Sequence, residues 1–320
     1  FERVKARLAG KVVDRPPNFN IYMAYGARAI GEPLSRYFLD HRVLCDANAY
    51  LIEDLDVDLA QAISDPYREA ADFGADVAFP EDGLPVCTTP LLASPSDLAR
   101  LIPPVPATGR RMSVRLAAVS LMHERYAGKV PVMGWVEGAL AEAADLRSPN
   151  EIMMDVVLRP EWVDELLELC TEVAIAFARA QIEAGADIIG LGDAVGSLVY
   201  PDMYRRFSLH YEKRIFDAVH EAGAVARLHI CGNTNRIVDG MVATGADIID
   251  LDWMVDMQAA AAKYGDQVSF CGNQDPVVVM LEGTPDEVYA ASKYCIEVGG
   301  KRRGDNQVLA RIDGRTIYRP

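Results

Sequence analysis

Three stretches of the chain repeat one pattern of polar and apolar positions. Residues 72–79 read DFGADVAF, residues 183–190 read EAGADIIG and residues 243–250 read ATGADIID. In each, a helical periodicity stops at a glycine suited to the position just past a helix end, and a short apolar run follows. EAGAVARLHICG at 221–232 and KYGDQVSFCGNQD at 263–275 are looser versions of the same unit. The apolar runs predict strands over 77–79, 130–135, 187–190, 225–230, 248–251 and 268–270. These runs do not alternate, as expected of strands buried on both faces of a parallel sheet. Helices are predicted over 160–185 and 201–223, each opening on a proline, and over 284–300.

Strands alternating with long helices make right-handed βαβ units, and this many in one chain favour a closed barrel over an open sheet. The predicted fold is therefore α/β, a (β/α)8 TIM-type barrel over residues 61–320 with an N-terminal helical extension over 1–60, one structural domain overall. Pro103-Pro104-Val105-Pro106 is too short to divide domains and joins a strand–loop unit to the helix carrying Arg115 to Tyr126. The pattern fails where an eighth strand should close the sheet. After Gly299-Gly300 the chain reads Lys301-Arg302-Arg303-Gly304-Asp305-Asn306, which no central strand could accommodate. Unpaired edges are costly in a soluble protein, so residues are expected to be missing from the sequence between about Arg302 and Asp305.

Composition narrows the class of function. Among 320 residues, 32 Lys and Arg face 47 Asp and Glu, a formal charge of −15. Such a chain lacks the cations that nucleic acids and anionic lipid surfaces require. No apolar run approaches a membrane span and no secretory leader opens the chain. Phe1 in place of Met points to a trimmed N-terminus. Cys45, Cys87, Cys170, Cys231, Cys271 and Cys295 are too scattered for a disulfide framework, so reduced thiols in a cytoplasm are expected.

The residues able to do chemistry gather at the predicted strand ends. His229 and Cys231, two apart, point the same way at the end of one strand, where barrel enzymes hold their sites. Imidazole and thiolate are natural zinc ligands, and a catalytic zinc takes three protein ligands and an open position. A packed cysteine beside a hydrogen-bonded histidine fits the same spacing. Glu137, Asp193 and Asp252 each follow a strand and could share that mouth, or serve as caps and loop ion pairs. Cys271 follows the last predicted strand, either as small filler or as a ligand, whereas Cys45, Cys170 and Cys295 fall in helical stretches and are expected in the core. His41, His123, His210 and His220 have charged neighbours and read as surface or packing residues. Tyr22, Tyr25, Trp135, Tyr200 and Trp253 could line an apolar cavity, with Asn273 on its rim.

Together these motifs resemble the uroporphyrinogen decarboxylase superfamily, from Arg15-Pro16-Pro17 to about Gly300. The likeness is carried by His229-Ile230-Cys231-Gly232-Asn233-Thr234, Gly134-Trp135-Val136-Glu137-Gly138, Leu251-Asp252-Trp253 and Gly272-Asn273-Gln274-Asp275-Pro276. Asp193 with Ser197 and the run from Pro201 to Phe207 adds to it. The H-x-C-G element is similar to that of the zinc-dependent, corrinoid-linked methyltransferase branch. Decarboxylases carry an Arg-Gln-Ala-Gly-Arg loop for a polycarboxylate; the corresponding Tyr22 to Arg28 stretch keeps only Arg28.

The resemblance implies a zinc held by His229 and Cys231 and by a further cysteine at the end of strand eight, which has no match here. Cys271 or Glu137 would be the substitute. It also implies methyl transfer between a small methylated substrate (methoxyarene, methylamine or thiol type) and the cobalt of a corrinoid. The Asn18 to Arg28 region favours the demethylating direction. Glu137 would occupy the open metal position or orient substrate, and Asp193 and Asp252 would hydrogen-bond it. No D-x-H-x-x-G run is present, so a separate corrinoid-binding protein would bring the cofactor. A homodimer, a decarboxylase and a catalytically silent binder of the corrinoid protein remain open as alternatives.

Overall fold

A computed structural model describes residues 1–299 of the chain. The first 55 residues hold four helices, Glu2–Leu8, Ala24–Ala29, Leu34–Leu39 and His41–Leu55. The strands follow in chain order: β1 (Ala60–Gln61), β2 (Val77–Ala78), β3 (Val86–Cys87), β4 (Val132–Glu137), β5 (Ile188–Gly192), β6 (Val225–His229), β7 (Ile248–Leu251) and β8 (Ser269–Gly272). Six of them form one sheet in the order β1-β4-β5-β6-β7-β8, every neighbouring pair parallel. Each strand neighbours the next in sequence and helices cross between them, the arrangement of a TIM-type barrel. The expected eighth strand and the expected break near Arg302 to Asp305 lie outside the described residues.

One strand is misplaced in the sequence reading. Residues 77–79 do not enter the barrel: β2 pairs antiparallel with β3, Val77 opposite Cys87, in a separate two-stranded ribbon. The reason is burial, because Ala78 and Val86 are exposed, whereas a barrel strand is covered on both faces. The position next to β4 belongs to β1, whose surroundings read Leu59-Ala60-Gln61-Ala62 and are wholly buried. Small residues and a glutamine hide this strand from a search for β-branched runs.

The long helix Pro160–Glu183 begins on its proline, carries Glu161 in its first turn and is followed by Gly185 at φ +110°. Its buried Gln181 ties it to the sheet. The side-chain oxygen accepts from Trp135 N at 2.9 Å and the amide donates to Trp135 O at 3.0 Å. Gly190 on β5 then makes room for the Trp135 ring, since a Cβ there would run into the ring carbons. Gly190→Ala is expected to destabilise the protein by roughly 1–3 kcal/mol through overpacking, read as a lower urea midpoint at unchanged slope.

Candidate active site

Register brings four strands together at one level. Gly192 lies beside His229, His229 beside Asp250 and Asp250 beside Cys271. Arg227 precedes His229 by two residues and so shares its side of the sheet. These side chains form a chain of contacts. His229 Nδ1 donates to Asp250 Oδ2 at 2.9 Å, and Arg227 Nε donates to Asp250 Oδ1 at 2.9 Å. Arg227 Nη2 reaches across to Phe19 O at 3.0 Å, fixing the N-terminal segment over the strand ends.

The electrostatics follow from this pairing. Burial alone would raise the Asp250 carboxyl, yet the Arg227 and His229 charges hold it below the usual carboxylate range. Burial would lower the His229 imidazole; hydrogen bonds and charge from Asp250 and Cys231 outweigh it and push it up to about 9. With Nδ1 committed to Asp250, Nε2 is the nitrogen left to face other groups. Cys231 is exposed just beyond it, and Gly232, at φ +93°, turns the chain where any Cβ would meet the Ser197 hydroxyl.

A cavity of about 840 Å³ opens over these residues. Its wall includes His229 and Cys231 together with Tyr22, Tyr25, Trp253 and Asn273, four of the six residues expected in or around a pocket. Trp135 is buried and contributes no lining; its ring centre lies 6.1 Å from that of His229. Asn273 clamps the rim, its amide donating to Val255 O at 2.7 Å and Asp252 O at 3.2 Å. Asp252 reaches the cavity but its carboxylate is engaged by Gly232 N at 2.8 Å and Met254 N at 3.1 Å. Tyr200 is exposed and lies apart from the lining.

Glu137 and Asp193 sit elsewhere. Glu137 accepts from Arg68 Nη2 at 2.7 Å and from Trp135 Nε1 at 3.3 Å, behind the cavity wall. Burial pushes its carboxyl well up, with Arg68 opposing and Glu69 and Asp145 reinforcing. Asp193 is fully buried, its N–H donating to His229 O at 3.0 Å, and burial pushes its carboxyl up to about 6. Its side chain contributes no cavity lining. Cys271 does line the cavity, but its sulfur lies 3.8 Å from Arg227 Nη2 and burial pushes the thiol up to about 12. Cys295 is buried in the helix Pro285–Gly299, as expected, and its sulfur also meets the cavity, accepting from Gln274 Nε2 at 2.9 Å.

The acidic group around Glu137 has its own consequence. Glu142 is buried, neither of its carboxyl oxygens has a hydrogen-bond partner among the described residues, and burial with Glu69 and Asp145 nearby raises it well above the ordinary range. A carboxyl raised on folding favours the native state when protonated, and that advantage is lost as pH rises through its folded value. Glu142→Gln should therefore gain stability over the native chain as pH rises from 5 towards 9, measured by urea unfolding at each pH. A constant difference across that range would contradict the assignment.

Arg227 and Asp250 escaped the sequence reading, although a signal existed. Each is a charged residue within an apolar strand run, and a buried charge requires a partner. Among the described residues, no cluster of three His, Cys, Asp or Glu side chains is placed to hold a metal ion. The donors that the strand ends do offer, an imidazole oriented by a carboxylate and an exposed thiol, have the chemistry that zinc favours.

Comparison with known proteins agrees with this architecture. The sequence profile of the uroporphyrinogen decarboxylase (URO-D) family matches residues 1–310. The methylcobamide:CoM methyltransferase MtbA of Methanosarcina mazei is 34% identical over 191 residues, 59% of this chain and 56% of its own length. MtaA of Methanosarcina barkeri is 31% identical over 192 residues, again 59% and 56%. The chain thus spans little more than half the length of these relatives. A uroporphyrinogen decarboxylase of Hydrogenovibrio crunogenus is 27% identical over 81% of this chain and 75% of its own. A solved structure, a methyltransferase from Methanosarcina mazei, shares the fold with a TM-score of 0.84 at 23% identity, covering 98% of this chain and 93% of that one. By sequence, the chain belongs to the uroporphyrinogen decarboxylase family.

Proposed function

We propose that the protein is a zinc-dependent methyltransferase that moves a methyl group between a small methylated substrate and the cobalt of a corrinoid, in the demethylating direction. The observation that carries this reading is His229 held by the Asp250–Arg227 pair beside exposed Cys231, at the floor of a cavity. His229 Nε2 and Cys231 Sγ are the two donors for zinc, and a third would come from outside the described residues. Zinc bound there supplies a Lewis acid for the heteroatom that gains or loses methyl. The chain's own part is to keep Nε2 available through Asp250 and to seat the substrate among Tyr22, Tyr25 and Trp253.

The names of the methanogen relatives support methyl transfer over decarboxylation. So does charge: Arg227, the arginine on the described cavity wall, is already bound to Asp250, and Arg28 is exposed and lines none of it. A polycarboxylate would find little to grip. The corrinoid would be carried by a partner protein resting on the rim, where Tyr25, Trp253 and Leu281 are exposed. No described helix is long and apolar enough to cross a membrane; a cytoplasmic setting is part of the proposal.

The test is the visible spectrum of a Co(I) corrinoid mixed with the protein and a panel of methoxyarenes, methylamines and thioethers. Conversion to methyl-Co(III) with one donor supports the proposal. No change with any donor, and none from methylcobalamin with thiols, overturns it.

A further inference from the structure

The N-terminal wall of the cavity carries a hydroxyl whose polarity is fixed by its neighbours. Tyr22 lines the cavity half-buried, its ring 6.1 Å from that of Tyr25. Its phenolic oxygen faces two amides, Asn18 Nδ2 at 3.4 Å and Asn20 Nδ2 at 3.5 Å. The orientation of those amides is set by the rest of the network. Asn18 Oδ1 accepts from Asn20 Nδ2 at 2.8 Å and from Asn20 N at 3.3 Å, so the Asn18 oxygen points to Asn20 and its NH₂ to Tyr22. Asn20 O in turn accepts from Gln61 Nε2 at 2.6 Å, which anchors the segment to β1. A hydroxyl oxygen has two lone pairs. Two amide donors approach it from the protein side, which leaves the O–H proton as the group Tyr22 can offer to a molecule in the cavity.

We infer that Tyr22 is a specificity-determining hydrogen-bond donor, and that it selects a substrate bearing an ether or phenol oxygen on an otherwise apolar, aromatic body. The inference rests on the reading of this cavity as the substrate site. It sorts the candidate substrates by chemistry. A protonated methylamine has no lone pair to accept the O–H proton, and Tyr22 has none left to accept from it. A thioether sulfur accepts only weakly. An aryl ether or phenol oxygen keeps an in-plane lone pair that can accept the O–H proton, while Tyr22, Tyr25 and Trp253 cover its ring. Burial raises the Tyr22 hydroxyl further above neutrality, against the two amides, so the proton stays in place.

The probe pair is methoxybenzene and ethylbenzene, which differ by an oxygen in place of a methylene. Calorimetric titration of the full chain and of Tyr22→Phe with each gives four affinities. The ratio of methoxybenzene to ethylbenzene affinity should fall by about fivefold in the variant, the size of one hydrogen bond, with ethylbenzene affinity unchanged. Asn20→Ala, which frees one lone pair of Tyr22 without touching its ring, should lower the same ratio by a smaller factor. A ratio unaltered by Tyr22→Phe, or a native chain that binds neither probe, overturns the inference. Binding of these probes needs neither metal nor corrinoid. A shifted ratio in a protein inactive in the Co(I) assay would therefore sink only the methyl-transfer reading, and an unaltered ratio in an active protein would sink only this one.

Discussion

Replacing His229 by alanine is expected to reduce methyl transfer to corrinoid by on the order of 10³-fold or more, because a Lewis acid supplies several kcal/mol of charge stabilisation and its nitrogen donor is lost. Zinc content should fall well below one ion per chain in the same preparation. The fold should survive. His229 sits half-buried at a strand end, and its removal leaves Asp250 still paired with Arg227 at 2.9 Å. Far-ultraviolet circular dichroism and the urea midpoint should therefore stay near those of the native chain. Cys231→Ser should behave alike, since its exposed side chain contributes little to packing. Full activity in either variant would remove both residues from the site.

The second large effect concerns Asp250 and separates folding from metal binding. Arg227 is 1% exposed, and Asp250→Ala would leave its guanidinium without a carboxylate. Breaking a buried pair from one side costs about 3–5 kcal/mol, which urea unfolding would register directly. Removing both charges, in Arg227→Met with Asp250→Ala, should recover much of that loss. Asp250→Asn keeps the shape but weakens the acceptor for His229 Nδ1, and zinc affinity should fall by roughly 10–100-fold. The sign of the pH dependence is fixed as well. Asp250 is held below its ordinary value in the fold, so its contribution is complete above the usual carboxylate range and is lost as acidification passes its folded value. The Asp250→Asn variant should lack that acid-side loss.

Much of the barrel was legible because its strands are apolar and its helices end on glycine. β5, β6, β7 and β8 fall on predicted runs, and the helix Pro160–Glu183 begins on the predicted proline. β1 was not legible, since Ala60 and Gln61 carry no strand signature; their burial comes from tertiary packing. Residues 77–79 show the converse, a local pattern of the right kind at a place where the chain turns outward. Proximity at the strand ends was readable for His229 and Cys231 because they are neighbours in sequence. The partnership with Asp250 depends on the register of β6 against β7, which a single strand does not encode. The same limit explains Glu137. It ends a strand as expected, yet Arg68, from a helix 69 residues earlier, draws its carboxylate behind the wall.

The most direct test of the central claim is methyl transfer by one preparation before zinc removal, after chelation and after zinc is restored, read as conversion of Co(I) corrinoid to methyl-Co(III). The account predicts loss of conversion on chelation and its return when about one zinc per chain is added back. Conversion that is indifferent to the chelator would contradict it.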